Sequence, residues 1–172
     1  MRIIVTGGLG FIGSSLVRYL LTKTKHKILN IDSKTEVSMP ESLEAFEKNK
    51  NYKFIKLDIS DSKNLDKNIL KFKPDLIFHL AAESHVDNSI SKPSKFMKSN
   101  IIGTFNILES CRKYLELKNK KKIFRLIHVS TDEVYGSLSL NQKSFSEKSP
   151  YLPNSPYSAS KASSDHLVRA WN

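Results

Sequence analysis

The stretch Val5-Thr-Gly-Gly-Leu-Gly-Phe-Ile-Gly13 decides the fold. It leaves an apolar run, Ile3–Val5, turns through glycines and enters a helical pattern over Gly10–Leu21. Gly8-x-Gly10-x-x-Gly13 sets the spacing, and Gly7 extends it to Gly7-x-x-Gly10-x-x-Gly13. Glycine is demanded where the chain turns tightly and its backbone must come close to another group. A strand, a tight turn and a helix in that order form one βα unit, and a parallel sheet needs the unit to recur.

It recurs. Apolar runs bounded by turn residues follow at Ile28–Ile31, Tyr52–Leu57, Leu76–Leu80 and Ile123–Val129. Such runs suit strands buried on both faces of a parallel sheet. Between them lie helical patterns over Ser62–Phe72, with Leu65, Ile69, Leu70 and Phe72, and over Phe96–Leu117, with Ile101, Phe105, Leu108 and Leu115. Ser158–Trp171 supplies a last helix. Ser33–Lys50 breaks the alternation: Ser38 and Glu41 are placed to form a capping box before a short helix faced by Leu43 and Phe46. Ser137–Pro156 is polar, serine-rich and closed by prolines, the composition of an active-site loop or a linker. The expected fold is α/β, a doubly wound parallel sheet of Rossmann type, with ligands at the carboxyl ends of its strands.

Composition bounds the rest. A chain of 172 residues fits one domain, taken as 1–172, with ordinary apolar and charged content. One cysteine, Cys111, rules out an internal disulfide and fits a reducing, cytoplasmic setting. The apolar start breaks at Gly7, too early for a signal peptide or a membrane span. The net charge of +11 comes mostly from scattered lysine, including Lys118, Lys120, Lys121 and Lys122, which reads as solvated surface. Arginine is sparse, so a nucleic-acid partner is not expected, and no metal site is assigned.

The glycine turn places a helix N-terminus against a pyrophosphate, the signature of dinucleotide binding. Asp32 closes the second strand about twenty residues beyond the last glycine, where a carboxylate accepts from ribose hydroxyls and repels a 2′-phosphate. NAD is therefore expected over NADP. Asp58, after the third strand, either meets the adenine amino group or caps the next helix. Tyr157 and Lys161 in "YSASK" stand four apart on one helix face. An ammonium beside a phenol lowers its pKa and makes it a general base near neutrality. "STDEVYG", Ser130–Gly136, sets Thr131, Asp132 and Glu133 just where the fifth strand should end, which makes sense if the turn aims polar groups at a ligand.

"TGGLGFIGSSLVR", "FHLAAESHVDNSI", "NIIGTFNILES", "STDEVYG" and "SPYSASKASSDHLVRAW" together resemble the extended short-chain dehydrogenase/reductases, and among them the dTDP-glucose 4,6-dehydratase family. The resemblance runs from Met1 to Trp171, and Asp132-Glu133 beside Thr131 is its most specific part. It implies that Tyr157 removes the C4 hydroxyl proton of a nucleotide sugar as hydride passes to NAD. Glu133 would then take the C5 proton while Asp132 protonates the departing C6 hydroxyl, and hydride would return to C6. Repulsion between adjacent carboxyls favours holding one proton on the pair. The same resemblance implies cofactor contacts at Gly7, Gly10, Phe11, Ile12, Gly13, Asp32, Thr35, Asp58, Ile59, Ala81, Ala82, Ser99, Tyr157 and Lys161. It implies substrate contacts, with dTDP-glucose as substrate, at Ser84, His85, Asn88 and Thr131.

Ser99 reads equally as a helix N-cap or a solvent-facing serine, and Ala81 and Ala82 equally as packing residues. After Asp32 the chain runs "DSKTEVSM" and lacks a tyrosine common in that family, though Thr35 keeps its place. Family members continue beyond "VRAW" into a smaller sugar-binding domain, so the sequence reads as their N-terminal portion, with the fifth strand's outer edge expected to be open. The carrier nucleotide (dTDP, UDP or CDP) stays open, as does a non-catalytic NAD-binding module. Phe96–Leu117 and Ser158–Trp171 match the elements through which the family forms homodimers.

Overall fold

The computed structural model describes residues 1–117 and 123–172; the lysines at 118 and 120–122 lie outside the described residues. Five strands form one parallel sheet: β1 Arg2–Thr6, β2 Lys27–Asp32, β3 Tyr52–Lys56, β4 Leu76–His79 and β5 Arg125–His128. Their order is β3-β2-β1-β4-β5, so the winding reverses between β1 and β4. In such sheets the crevice at the reversal, beyond the carboxyl ends of the strands, takes the ligand.

Alternation along β1 divides the core. Ile3 and Val5 point to one face and join Val17, Leu20 and Leu21 of α1 (Phe11–Lys23) with Leu43. Ile4 points to the other and joins Leu65 and Ile69 of α2 (Ser62–Phe72) with Ile107, Cys111 and Tyr114 of α5 (Gly103–Leu117). Full burial of such aliphatic side chains contributes about 1.5–3 kcal/mol each. The central strands are covered on both faces, but the edge strands are not: Phe54 on β3 is 36% exposed and Ile127 on β5 is 42% exposed. The expectation of burial on both faces fails at these two edges, where among the described residues no further strand flanks β3 or β5.

Local chemistry fixes the ends of the helices. Asp61 caps α2 by accepting from Asn64 N–H at 3.1 Å, and Lys73, at φ 53°, ends it in the left-handed region. Ser155 and Ser158 form a reciprocal cap at the start of α6 (Pro156–Ala170), with Pro156 in the first turn. The capping box expected at Ser38 and Glu41 does not form. The 3₁₀ turn Pro40–Phe46 has no side-chain cap, and the Ser38 hydroxyl donates instead to Asp32 Oδ1 at 3.1 Å.

The long helical pattern over Phe96–Leu117 is three pieces. The short α4, Pro93–Phe96, runs into a π-helical turn, Met97–Ile102, and then into α5. Its expected apolar stripe is split: Leu108 is buried and Ile101 half-buried, while Phe105 and Leu115 are 38% and 44% exposed. The buried face of α5 carries Gly103, Thr104, Asn106, Ile107, Leu108, Ser110, Cys111 and Tyr114, and its polar side chains find partners there. One short helix has no counterpart in the apolar pattern: α3, Val86–Ser91.

Candidate active site

A groove of about 500 Å³ runs along the carboxyl ends of all five strands. Its walls come from the turn after β1, Asp32 at the end of β2, Leu57–Ile59 after β3, Leu80–His85 after β4 and Val129-Ser130 after β5. The volume lies within the range of small-molecule sites.

The floor is the glycine turn. Gly7 has φ 71°, and a Cβ there would stand 2.6 Å from Ala81 N. At Gly13 a Cβ would stand 2.1 Å from the Gly7 carbonyl oxygen, so α1 can sit this close to the turn only without a side chain. The first intrahelical bond is Ser14 N–H to Gly10 C=O at 2.8 Å, no side chain caps the helix, and its first turn holds no acid. The opening amides of α1 are thus presented to the groove, as an anion requires. Phe11 and Ile12, 80% and 61% exposed, form its rim.

Asp32 holds this turn in shape. One carboxylate oxygen accepts from Leu9 N–H at 3.0 Å, and the other accepts from Lys34 N–H at 2.8 Å and the Ser38 hydroxyl. Asp58 does not cap α2, which Asp61 does; it is exposed, accepts from Ser60 N–H at 2.8 Å and faces Lys98 at 3.7 Å. Ser99 is no N-cap either, because it lies inside the π-helical turn and lines the groove. Thr35, Ile59, Ala81, Ala82, Ser84 and His85 also line it, whereas Asn88 is exposed on α3 and does not.

Tyr157 and Lys161 enter from α6, 9% and 4% exposed. The Lys161 ammonium donates to the Val129 carbonyl at 2.7 Å. Burial pulls its pKa down to about 8, against the pull of Asp165 in the other direction. The Tyr157 phenol is raised above its ordinary value, first by burial; the Thr131 hydroxyl lowers it, and Glu133 and Asp132 raise it further. The expected lowering of the phenol by Lys161 is not found here: burial and the two acids raise it, and the group that lowers it is Thr131.

Thr131 stands three residues beyond β5, not at its end. It caps a 3₁₀ turn, Asp132–Tyr135, with its hydroxyl accepting from Glu133 N–H at 3.3 Å. This turn lies outside the groove lining, yet its acids and Thr131 reach the phenol electrostatically.

Sequence reasoning missed the polar scaffold behind the groove. Asn100, fully buried in the π-helical turn, donates to the Glu83 carbonyl and to Ser160 Oγ, both at 2.9 Å, and accepts from Glu83 N–H at 2.8 Å. Its carbonyl accepts from the Thr104 and Ser164 hydroxyls, both at 2.6 Å. Because Thr104 donates there, it accepts from His79 Nε2, so the buried imidazole carries its proton on Nε2 and takes the Thr6 hydroxyl on Nδ1 at 2.7 Å. Desolvation, then His128 and Lys161, holds that imidazole well below its ordinary pKa. A buried-serine pattern on α6, Ser158, Ser160 and Ser164, is the signal that was available.

The model of the GDP-mannose 4,6 dehydratase family matches residues 4–172. The chain belongs to that family. Within the family's range, a curated dTDP-glucose 4,6-dehydratase from Haemophilus influenzae is 49% identical over the whole chain, and one from Escherichia coli is 49% identical over 99% of it. The chain spans about half the length of these relatives, 52% and 50%. A crystal structure of dTDP-glucose 4,6-dehydratase from Streptomyces venezuelae with NAD bound superposes with a TM-score of 0.90 at 40% identity, over 99% of this chain and 51% of that one. A Thermus thermophilus UDP-glucose 4-epimerase in complex with NAD gives 0.84 at 30% identity, over 99% and 50%. The frame is thus one that known dehydratases and epimerases share.

Proposed function

We propose that this chain is the cofactor-binding and acid–base part of a dTDP-glucose 4,6-dehydratase, forming a 4-keto-6-deoxy sugar nucleotide for deoxysugar synthesis. The observation that carries this is the placement of Asp132 and Glu133 on a Thr131-capped turn whose charges act on the Tyr157 phenol. An epimerase needs the phenol and the cofactor; elimination of water needs an acid and a base as well.

The groove fits NAD on its own features. Gly13 lets α1 begin against the glycine turn, its opening amides suit a pyrophosphate, and Asp32 at the end of β2 suits a ribose diol and opposes a 2′-phosphate. Gly7, Gly10, Phe11, Ile12, Thr35, Asp58, Ile59, Ala81, Ala82 and Ser99 would line it. When bound, NAD supplies the hydride acceptor and donor. Tyr157 accepts the proton of the C4 hydroxyl, with Thr131 bonded to the same oxygen. Lys161, held by Val129 one helical turn from Tyr157, supplies the positive charge that an ionised phenol needs. Once C4 is a ketone the C5 proton is acidic; Glu133 removes it, and Asp132 delivers a proton to the C6 hydroxyl as it leaves as water. Ser84 and His85 are placed to contact the sugar nucleotide, and Asn88 would do so only from outside the groove.

Exposed Phe105, Leu115 and Trp171 on and beside α5 and α6 support a homodimer through these helices. Among the described residues no helix is long and apolar enough to cross a membrane, and a cytoplasmic location is part of the proposal. Calorimetry with NAD and NADP tests the cofactor: NAD should bind at least about tenfold more tightly. Competition by dTDP, UDP and CDP against dTDP-glucose in the whole protein tests the carrier. Equal affinity for NADP, or displacement by UDP alone, would sink the corresponding part.

A further inference from the structure

We propose that Asp165 is a positioning residue for the proposed reaction: its carboxylate fastens the turn bearing Asp132 and Glu133 to the helix bearing Tyr157 and Lys161. It lies one helical turn beyond Lys161 and two beyond Tyr157, on the same face of α6.

Three segments converge on it. One carboxylate oxygen accepts from the Ser130 hydroxyl and from Tyr151 Oη, the latter at 2.9 Å. The other lies 3.2 Å from His128 Nε2 at the end of β5, without the alignment of a hydrogen bond. The carboxylate is 13% exposed and the His128 side chain 6%. A carboxylate is seldom buried to this degree unless paired, and here two hydroxyls and an imidazole surround it.

The position of Ser130 gives the clip its consequence. On one side stands Val129, whose carbonyl holds the Lys161 ammonium; on the other stands Thr131, which caps the acid-bearing turn. Tyr151 ties in the loop between that turn and α6. Its neighbour Leu152 donates N–H to the Val134 carbonyl at 3.0 Å, and its ring meets Tyr135 edge-on at 5.3 Å. The base helix, the acid turn and the covering loop therefore share one anchor.

The anchor is also a charge. The groups facing it are Lys161 and, through Tyr151, the His166 ring on α6; His128 on β5, with the His79 ring 5.2 Å from the His128 ring; Ser130 in the linker; and Tyr151 in the loop. Burial works to raise the Asp165 pKa, but His128, Ser130 and Tyr151 outweigh it and hold the carboxyl below its ordinary value. It stays ionised near neutrality and opposes the desolvation of Lys161.

The inference rests on the proposed dehydratase reading, and the test separates the two. In lysine-labelled chain, the Lys161 side chain is identified by its loss in Lys161→Arg and titrated by NMR. Asp165→Asn should lower its midpoint by about one pH unit, whereas Asp165→Glu should keep it. Ser130→Ala and Tyr151→Phe keep the charge and so the midpoint, but amide exchange across Asp132–Tyr135 should speed by about tenfold, the loss of one bond to a charged group. In the whole protein, Asp165→Asn should lower kcat for dehydration while the KM for NAD holds. An unmoved Lys161 midpoint in a folded Asp165→Asn chain overturns the charge role. Unchanged exchange in Ser130→Ala and Tyr151→Phe overturns the clip. A wild-type protein that binds NAD and dehydrates nothing defeats the functional reading, and the NMR outcomes still judge Asp165.

Discussion

Lys161 and Val129 are joined by a bond of 2.7 Å from ammonium to backbone carbonyl, which ties α6 to the residue that follows β5. The lysine is 4% exposed, and burial holds its pKa near 8 rather than at its ordinary 10.5. A lysine whose folded pKa is depressed binds fewer protons than in the unfolded chain between those two values. Stability must therefore rise with pH across that window. Relative to Lys161→Met, the wild-type chain should gain about 2–3 kcal/mol between pH 7 and 10, read by urea unfolding at each pH. A flat difference would show the ammonium to be no more costly in the fold than in water.

Gly13 should admit no side chain. Gly13→Ala puts a methyl group where only 2.1 Å separates it from the Gly7 carbonyl, so either α1 or the turn must move. Destabilisation of about 1–3 kcal/mol is expected in thermal unfolding, with NAD affinity falling more than tenfold because the opening amides of α1 shift.

Asn100 should be costly to truncate. Asn100→Ala leaves Glu83 N–H and Glu83 C=O without their partners in a part-buried site, a loss of about 1–3 kcal/mol. Denaturant unfolding measures it. The same change should loosen the Glu83–His85 wall of the groove and weaken NAD binding, read by calorimetry.

Ser155 offers a milder test. Ser155→Ala removes the reciprocal cap of α6 two residues before Tyr157 and should cost about 1 kcal/mol in chemical denaturation.

The parallel sheet and the glycine turn were legible because backbone geometry dictates them: buried strands read as apolar runs, and a turn with positive φ reads as glycine. The edges misled because exposure of Phe54 and Ile127 depends on what covers the sheet, which a local pattern does not encode. α5 misled for a related reason. Beside Ile107, Leu108, Cys111 and Tyr114 its buried face carries Thr104, Asn106 and Ser110, which enter the core because Asn100, Ile59 and Asp66 wait there to pair with them. Those partners lie up to 47 residues away along the chain. Asp165 shared that obscurity, although its spacing of four from Lys161 was in plain view.

Glu133 and Asp132 are proposed to perform an elimination beside Tyr157. The most direct measurement mixes the whole protein with NAD and dTDP-glucose, adds alkali and reads the ultraviolet absorbance of a 4-keto sugar. A signal is expected that Glu133→Gln and Asp132→Asn lower by about 10²–10⁴-fold while NAD still binds. An undiminished signal in Glu133→Gln, or none from wild-type protein with NAD bound, would contradict it.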